Sequence, residues 1–379
     1  MPERIKRTLL LVEDDTETQG SWSRDIDEFN TRQNTSVTFV PLIVGDQEHA
    51  LEILRNTYID CAIVDLRIPA AHASTPLDAK AESGNAVLGQ ILRSSGMPAV
   101  VYSGYEEEVS EIVSASHIKV VTKRGGAQVW ILEYLLSHAS LMEAMASTRE
   151  KLSAEISTLF HQSIWPRWSK TWASLSGNWS PTEVITRQVV AHVAEKLGDT
   201  SQHHPDEFYF VPPLKADRLV TGDLVTYEGS VYVLLNPRCN MDRCEYPMEL
   251  TLALCTPVGE SWTKILKKAA GDANQRNKAI EAARRYASQD HSLSKHFIPV
   301  CDGQGPWLVE FDRITNVGRD LASQLVTGRI ATISPQFLPN LIQRYSSYLG
   351  RIGQPDLNCE ILVQLPMSAP DTTSSSSQS

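Results

Sequence analysis

Three consecutive carboxylates, Glu13, Asp14 and Asp15, follow directly after the apolar run at residues 9–12. Carboxylates this close repel one another unless a cation or a pKa shift offsets the repulsion. Mg²⁺ is a suitable cation, because proteins hold it through one or two carboxylates plus waters, and phosphate oxygens take its remaining positions. The residue types therefore predict a site for Mg²⁺ and a phosphoryl group.

Three further polar residues, Asp65, Ser103 and Lys123, end or directly follow other apolar runs. An aspartate carboxylate can attack phosphorus and form an acyl phosphate, whose charge a lysine and a metal ion neutralise. Each residue also has an ordinary structural interpretation. Glu13 and Asp14 are suited to cap a helix. Asp65 suits a turn, Ser103 suits a helix cap, and Lys123 can be a solvated lysine. Only their joint position can decide between the two interpretations.

Residues 1–125 alternate short β-rich runs with helical patterns, which is typical of a doubly wound parallel sheet. Strands are predicted at residues 8–12, 37–41, 61–65, 99–103 and 119–122. Helices are predicted between them, at residues 16–30, 46–56, 84–95 and 106–115. In such a sheet the carboxyl ends of the strands form one edge, where ligands bind. All the candidate residues lie on that edge.

Four motifs in this order, LLLVEDD, AIVDLRIP, VVYSG and VVTK, resemble the receiver domain of bacterial two-component response regulators over residues 1 to about 145. The resemblance implies a CheY-like, five-stranded flavodoxin fold. It also implies that the domain catalyses only its own phosphorylation and dephosphorylation, and that its partner is a histidine kinase or phosphotransfer protein. It implies these site residues: Asp65 as phosphoacceptor, Asp14 as direct Mg²⁺ ligand, Glu13 as ligand through water, the backbone carbonyl of Arg67 as a further ligand, Ser103 as switch hydroxyl and Lys123 as phosphate partner.

Three features depart from that family. Asp65 and Gly84 are nineteen positions apart, where the family has about eight, so residues 66–83 carry an insertion. Arg124 stands where the family has proline, and Val120 stands where it has an aromatic switch residue. Phosphorylation chemistry is compatible with these changes, whereas the usual coupled motion of hydroxyl and aromatic ring stays open, with Tyr102 or Tyr105 as the candidate replacement for the missing ring.

Four regions are predicted along the chain: a receiver domain at 1–127, a linker helix at 128–160, an α+β output domain at 161–365 and a disordered tail at 366–379. Apolar residues recur every three or four positions from 131 to 159, which predicts one long helix or a kinked pair. This helix either packs on its own domains or forms a homodimer. Four tryptophans, at 165, 168, 172 and 179, are interpreted as core.

The output domain is predicted to hold strands within 207–258 and 297–314, with a hairpin turn at Glu228 and Gly229. Helices are predicted at 260–287, 317–324 and 334–349. The domain contains no helix-turn-helix pattern, so we expect an unidentified output partner, a protein rather than DNA.

The 379 residues suit two domains, and the net charge of −10 is concentrated in residues 1–145, where 12 Lys and Arg face 21 Asp and Glu. This acidic balance argues against nucleic acid as a general partner. The basic run at 264–285 is the exception, and a solvated helix face is its simpler interpretation. No apolar run is long enough to span a bilayer and no leader pattern is present, so a cytoplasmic protein is expected.

Cysteine and histidine chemistry in the output domain stays open. Cys239 and Cys244 have a spacing that a zinc knuckle allows, but no second pair at zinc spacing follows. A second open alternative is a nucleophile pair formed by Cys239 or Cys301 with His291 or His296. Three functions therefore compete: a phosphorylation-controlled regulator, a receiver acting as phosphate sink or docking module without classical switching, and a toxin-like or enzymatic effector of a bacterial defence system.

Overall fold

The computed structural model describes residues 4–32, 35–71, 77–94, 96–114, 117–170, 180–198, 202–243, 246–351 and 356–364. The chain divides into two compact units, Met1–Asp199 and Thr200–Ser379. This division comes later than the boundary expected at residue 160, because the helix Pro181–Gly198 packs on the helix Ala139–Leu159. None of the helices in the described ranges is long and apolar enough to cross a membrane. The predicted tail at 366–379 lies outside these ranges.

The first unit contains a five-stranded parallel sheet in the order β2-β1-β3-β4-β5. Its strands are β1 Ile5–Val12, β2 Val37–Val44, β3 Cys61–Val64, β4 Ala99–Ser103 and β5 Lys119–Thr122. This is the strand order of flavodoxin-like folds, and it confirms the predicted fold class. The order reverses between β1 and β3, so the ends of these two strands form the switch point where ligands bind in such sheets.

Helices cover both faces of this sheet: α1 Thr16–Thr31, α2 Gln47–Asn56, α3 Leu77–Ser94, α4 Glu111–Ser114 and α5 Ala127–Ser137. Leu9 and Leu11 of β1 pack in the core under α1 and α5, whereas Leu10 and Val12 pack in the core under α2 and α3. Because both faces are buried, the strand is apolar at consecutive positions rather than at alternate ones. The carboxylates that follow it emerge only at its end.

Helix α3 begins at Leu77, seven positions before the predicted start at residue 84. The prediction took Gly84 as the residue that opens the helix, but Gly84 lies within it and donates its backbone N–H to the carbonyl of Leu66. Part of the insertion therefore extends α3 toward its N-terminus. Residues 72–76 of the insertion lie outside the described ranges.

The helix predicted at 106–115 is wrong in extent. The segment forms a 3₁₀ turn at Glu106–Glu108 and then the short α4. The side-chain amide of Asn85 explains the interruption, because it donates to the carbonyl of Glu108 at 2.9 Å and accepts from the N–H of Ser110 at 2.9 Å. These two bonds hold the intervening backbone out of a continuous helix.

A series of helices follows α5: α6 Ala139–Leu159, a π-helical turn at Phe160–Ile164, α7 Trp165–Lys170 and α8 Pro181–Gly198. The expected kinked pair is α5 and α6, which meet at His138 with φ −99° and ψ 12°. The core interpretation of the tryptophans is wrong for Trp165, whose exposed fraction is 58%. Trp172 and Trp179 lie outside the described ranges.

The second unit is an α+β domain, as predicted, built on a seven-stranded antiparallel sheet in the order β10-β11-β9-β8-β7-β12-β6. Its strands are β6 Tyr209–Phe210, β7 Asp223–Tyr227, β8 Ser230–Leu234, β9 Glu249–Pro257, β10 Lys295–Ile298, β11 Trp307–Gly318 and β12 Arg329–Ile333. The predicted hairpin turn is confirmed, since Glu228 and Gly229 join β7 and β8 with φ 47° and φ 74°. Two positive φ values are typical of a type I′ turn.

The helices of this unit are α9 Arg238–Met241, α10 Glu260–Ala269, α11 Ala273–Ala287, α12 Ala322–Thr327, α13 Leu338–Leu349 and α14 Cys359–Leu362. The helix predicted at 260–287 is two helices, because the Asp272 side chain accepts from the N–H of Gln275 at 2.8 Å and starts a new one. The helix predicted at 317–324 begins later, since β11 continues to Gly318. Strand β12 was not predicted.

Candidate functional site

Lys123 joins two carboxylates at the carboxyl edge of the first sheet. Its Nζ donates to Glu13 Oε2 at 2.7 Å and to Asp65 Oδ2 at 2.8 Å. The three residues follow β1, β3 and β5, and the parallel pairing of those strands with β4 brings them together. Only 1% of Glu13 and 6% of Asp65 is exposed, so the contact is shielded from solvent.

Asp14 completes a group of carboxylates with the spacing of metal ligands. One carboxylate oxygen from each of Glu13, Asp14 and Asp65 lies within 4.8 Å of the others, and this is the group of that kind found within the described ranges. Three carboxylates and the single cation of Lys123 sum to a charge of −2, which one divalent ion balances. Mg²⁺ prefers such oxygen ligands, so the residues fit the predicted ion.

The charges at this site depend strongly on one another. Burial raises the pKa of Glu13, and the nearby hydrogen bond and charge of Lys123 only partly oppose the shift. For Lys123, burial alone would lower the pKa, but the hydrogen bonds to Asp65 and Glu13 outweigh burial and raise it. Lys123 is therefore a firmly protonated cation against two oxygens.

Helix capping falls to Asp15 rather than to its two neighbours. The Asp15 side chain accepts from the N–H of Thr18 at 2.8 Å and from the Thr18 hydroxyl at 2.6 Å, as the N-cap of α1. Glu13 instead points to Lys123, and Asp14 lies in the carboxylate group. The N-cap of α1 is therefore Asp15, and neither Glu13 nor Asp14 holds that position.

Ser103 is fully buried at the end of β4. Its carbonyl accepts from the backbone N–H of Lys123 at 2.9 Å, which fixes the two residues side by side on neighbouring strands. The Ser103 hydroxyl oxygen accepts from the N–H of Tyr105 at 3.3 Å. The hydroxyl is therefore positioned at the same edge and is linked to the loop after β4.

Arg67 shows a side-chain role that sequence reasoning missed. Its backbone N–H donates to Asp65 Oδ1 at 3.4 Å. Its guanidinium forms a bidentate ion pair with Glu108, with Nε 2.9 Å from Oε2, and lies 3.3 Å from the centre of the Tyr105 ring. The ion pair spans 41 positions of sequence, so only the run of three glutamates at 106–108 hinted at a basic partner. The role of the Arg67 backbone carbonyl as a metal ligand stays a prediction.

Gly84 explains how α3 approaches the site. A Cβ atom on this residue would lie 2.6 Å from the carbonyl oxygen of Asp65 and would overlap the backbone of Leu66. Real Cβ atoms do not approach backbone so closely, so only glycine fits. Helix α3 thereby packs directly on the backbone of the proposed phosphoacceptor.

The two residues that depart from the receiver family lie at the surface of β5 and its end. Val120 is half-buried and Arg124 is exposed. Valine has no ring that could rotate between an inward and an outward position, so β5 carries no aromatic side chain at this point.

The alternative sites in the second unit gain no support. Cys239 is exposed, and Cys244 lies outside the described ranges. Cys301 is buried, and burial raises the pKa of its thiol, which disfavours the thiolate that a nucleophile needs. Burial also lowers the pKa of His296 to about 3, so its ring is neutral.

The comparisons with known proteins match the N-terminal part of the chain. The N-terminal part of the chain is similar to a CheY-like receiver domain from Methanospirillum hungatei JF-1, at 18% identity and a TM-score of 0.28 over 37% of this chain and 98% of that one. It is also similar to the receiver domain of a LuxO-type repressor from Vibrio parahaemolyticus, at 16% identity and a TM-score of 0.29 over 37% and 98%. A CheY-like domain from Methylobacillus flagellatus matches at 16% identity and a TM-score of 0.26 over 35% and 96%. No protein-family model matches, and no curated protein matches.

Proposed function

We propose that the first unit is a phosphoacceptor domain of a response regulator, which takes a phosphoryl group on Asp65 from a histidine kinase or phosphotransfer protein. The observation that carries the proposal is the double contact of Lys123 with Glu13 and Asp65 at the switch point of a flavodoxin-like sheet. A lysine held in this position can stabilise the additional negative charge that a phosphoryl group brings to the acceptor carboxylate.

In this reaction an oxygen of Asp65 attacks phosphorus, the new O–P bond forms, and the bond from phosphorus to the donor's histidine nitrogen breaks. Lys123 stabilises the charge on the phosphoryl oxygens, and the Ser103 hydroxyl donates to one of them. Glu13 and Asp14 would hold Mg²⁺ together with Asp65, and the ion would supply further neutralisation of the phosphoryl charge. The near-complete burial of Glu13 and Asp65 strengthens each of these interactions.

Incubation with acetyl phosphate and Mg²⁺, followed by intact-mass measurement, tests this function. The wild-type chain should gain the mass of one phosphoryl group and Asp65→Asn should gain none. Asp15→Asn is the matched control, because it changes a carboxylate that caps α1 and should leave the adduct unchanged. Absence of the adduct from wild type with every small donor, and from a phosphorylated partner, would contradict the proposal.

A second candidate, a phosphate sink or docking module without classical switching, is favoured by Val120. If it is correct, Asp65 still accepts phosphate, but hydrogen exchange of the segment 104–122 is the same with and without phosphorylation. Slower or faster exchange in that segment of the phosphorylated chain would favour the regulated version.

A further inference from the structure

A cavity of about 640 Å³ in the first unit is lined by residues of α3, α5 and α6. Pro98 and Ala99, at the start of β4, also line it, as does His117, two positions before β5. The cavity is therefore at the amino ends of the two strands whose carboxyl ends carry Ser103 and Lys123. It is separate from the proposed phosphorylation site, and its volume is typical of small-molecule sites, which measure about 300–1,000 Å³.

The bend between α5 and α6 helps to form this cavity. Helix α6 begins directly after the bend at His138, and its first turn carries Met142, which is buried in the core with residues of α1 and α5. Leu141 and Met145 lie one turn apart on α6 and line the cavity. Because Met142 fixes α6 in the core, its two neighbours are held at the cavity wall.

The walls of the cavity are mainly apolar. Six side chains supply most of this surface: Ile91, Leu92, Met97, Pro98, Leu141 and Met145. The rings of Tyr134 and His138, whose centres are 4.6 Å apart, add an aromatic surface. Methionine side chains are unbranched and adapt to apolar ligands of different shape. Walls of this kind favour a ligand with an apolar body.

The side chains around the cavity that carry charge near neutral pH are all basic. They are Arg93, His117 and His138, and no aspartate or glutamate of the described residues lines the cavity. Arg93 is exposed and has no ion-pair partner among those residues. Residues 1–145 carry 21 Asp and Glu against 12 Lys and Arg, so a cavity with only basic groups is an exception in this part of the chain. These groups select a ligand with a negative charge.

A second cavity of the first unit differs in this respect. It has a volume of about 550 Å³, and its two arginines, Arg7 and Arg149, lie 3.7 and 3.6 Å from the same oxygen of Asp60. Glu150 lines it as well. The positive charges of that cavity are therefore already balanced by carboxylates, whereas the charge of Arg93 is available to a ligand.

We propose that the cavity beside Arg93 binds a small amphipathic anion, an apolar chain that ends in one carboxylate. The chain packs against the apolar walls, and its burial supplies most of the affinity. The guanidinium of Arg93 and a ring N–H of His117 donate to the carboxylate oxygens, and this contact supplies the selectivity for an anion. A medium-chain fatty acid is the simplest ligand of this class.

Isothermal titration calorimetry of the full chain with octanoate, below its micelle-forming concentration, tests the proposal. 1-Octanol and octyltrimethylammonium have the same chain length, and both should bind more weakly than octanoate. Arg93→Gln should weaken octanoate binding about fivefold, because an exposed ion pair is partly screened, and should leave 1-octanol binding unchanged. Arg24→Gln changes an exposed arginine of α1 and should keep the wild-type affinity. Asp65→Asn should also bind octanoate as wild type does, which separates this test from that of the proposed function.

A second pair of variants locates the ligand. Leu141→Glu should weaken octanoate binding at least about tenfold, because it places a carboxylate in the apolar wall. Leu141 is 49% exposed, so this variant should keep the wild-type midpoint in urea unfolding. Leu349→Glu, at a residue that is 61% exposed in the second unit, should bind octanoate normally. Octanoate should also slow hydrogen exchange in residues 134–145 of wild type.

Three results would overturn the proposal. The first is a wild-type chain that does not bind octanoate, or that loses binding equally in Leu141→Glu and Leu349→Glu. The second is equal affinity for the three head groups, since the cavity would then not select an anion. The third is a wild-type dimer that octanoate leaves intact and Leu141→Glu dissociates, because a second copy of the chain would then fill the cavity.

Discussion

The side chains of Arg67 and Glu108 form a bidentate ion pair two residues after the proposed phosphoacceptor, with Tyr105 stacked on the guanidinium. The pair ties the loop after β3 to the loop after β4, which are the two loops that flank the site. The pair lies at the surface, and about a quarter of each side chain is exposed.

We expect Arg67→Gln to loosen the loop after β4. Loss of the pair should lower the free energy of unfolding only slightly, because exposed ion pairs are screened by solvent, and should speed hydrogen exchange in residues 104–110. Glu108→Gln should have the same effect, and the double variant should add little to either single change. Arg284→Gln is the control, since its partner Glu281 and Arg284 itself are each 66% exposed. Full additivity of the two single effects would contradict a direct coupling.

Gly84→Ala should destabilise the first unit, since the added methyl group would overlap the backbone of Leu66 and approach the Asp65 carbonyl. Overpacking of this kind costs about 1–3 kcal/mol, measurable by urea unfolding. Gly20→Ala provides the contrast, because a Cβ at this position in α1 has nothing within 4 Å. That variant should stabilise by up to about 1 kcal/mol from helix propensity. Equal effects at both glycines would refute the close approach of α3.

Much of the first unit can be predicted from sequence because its strands are buried on both faces. Continuous apolar runs placed all five strands within about three residues at either end, and their carboxyl ends then placed Glu13, Asp65 and Lys123 together. The limits are equally physical. The predicted start of α3 was wrong because glycine is common at helix boundaries. Gly84 instead lies inside α3, where its contact with the backbone of Leu66 requires glycine.

The Arg67–Glu108 pair could not be predicted, since it depends on how two loops meet in three dimensions. Strand β12 was missed for a related reason. Its five residues, Arg329–Ile333, follow a short helix and the single residue Gly328, and their pairing with β7 is set by the sheet rather than by local pattern. Local sequence thus predicts strands that are buried on both faces of a sheet. It fails where the position of an element depends on a contact with a residue distant in sequence.

Metal binding should depend on the carboxylates that group together and not on the one that caps α1. By isothermal titration calorimetry at fixed ionic strength, Asp14→Asn and Asp65→Asn should each weaken Mg²⁺ affinity at least about tenfold. Asp15→Asn should keep the affinity within about threefold, because asparagine caps a helix as well as aspartate does. Equal losses for all three variants would argue that general negative charge, not the group, attracts the ion.

Lys123→Met should increase Mg²⁺ affinity while abolishing the phosphoryl adduct. The Lys123 ammonium lies 2.7 and 2.8 Å from oxygens of Glu13 and Asp65, so it competes with a metal ion for the same charge. Removing it leaves three carboxylates uncompensated, and the attraction for a divalent ion grows. Calorimetry and intact mass, measured on the same sample, check the opposite directions of the two effects. A fall in both would indicate that Lys123 supports the fold of the site.

His296 should make the second unit sensitive to acid. Burial, reinforced by the positive charge of Arg344 and by His291, lowers its pKa from 6.5 to about 3, and its Nδ1 atom is buried without a hydrogen-bond partner. Between these two pH values the unfolded chain binds a proton there and the folded chain does not. The neutral ring therefore costs no stability above about pH 6.5. Below that, the free energy of unfolding declines as pH falls toward 3, by about 1.4 kcal/mol per pH unit.

Comparison of His296→Leu with wild type isolates this contribution, because the remaining groups titrate in both proteins. From pH 7 to pH 5 the second unit of wild type should lose about 2 kcal/mol more unfolding free energy than the variant does, as followed by urea unfolding. His161→Gln, which changes an exposed histidine of the first unit, should keep the wild-type slope. Since leucine replaces an unpaired buried nitrogen with apolar atoms, the variant should remain folded at pH 7. Parallel slopes for His296→Leu and wild type would show that the His296 ring takes up its proton at the same pH in the folded unit as in the unfolded chain.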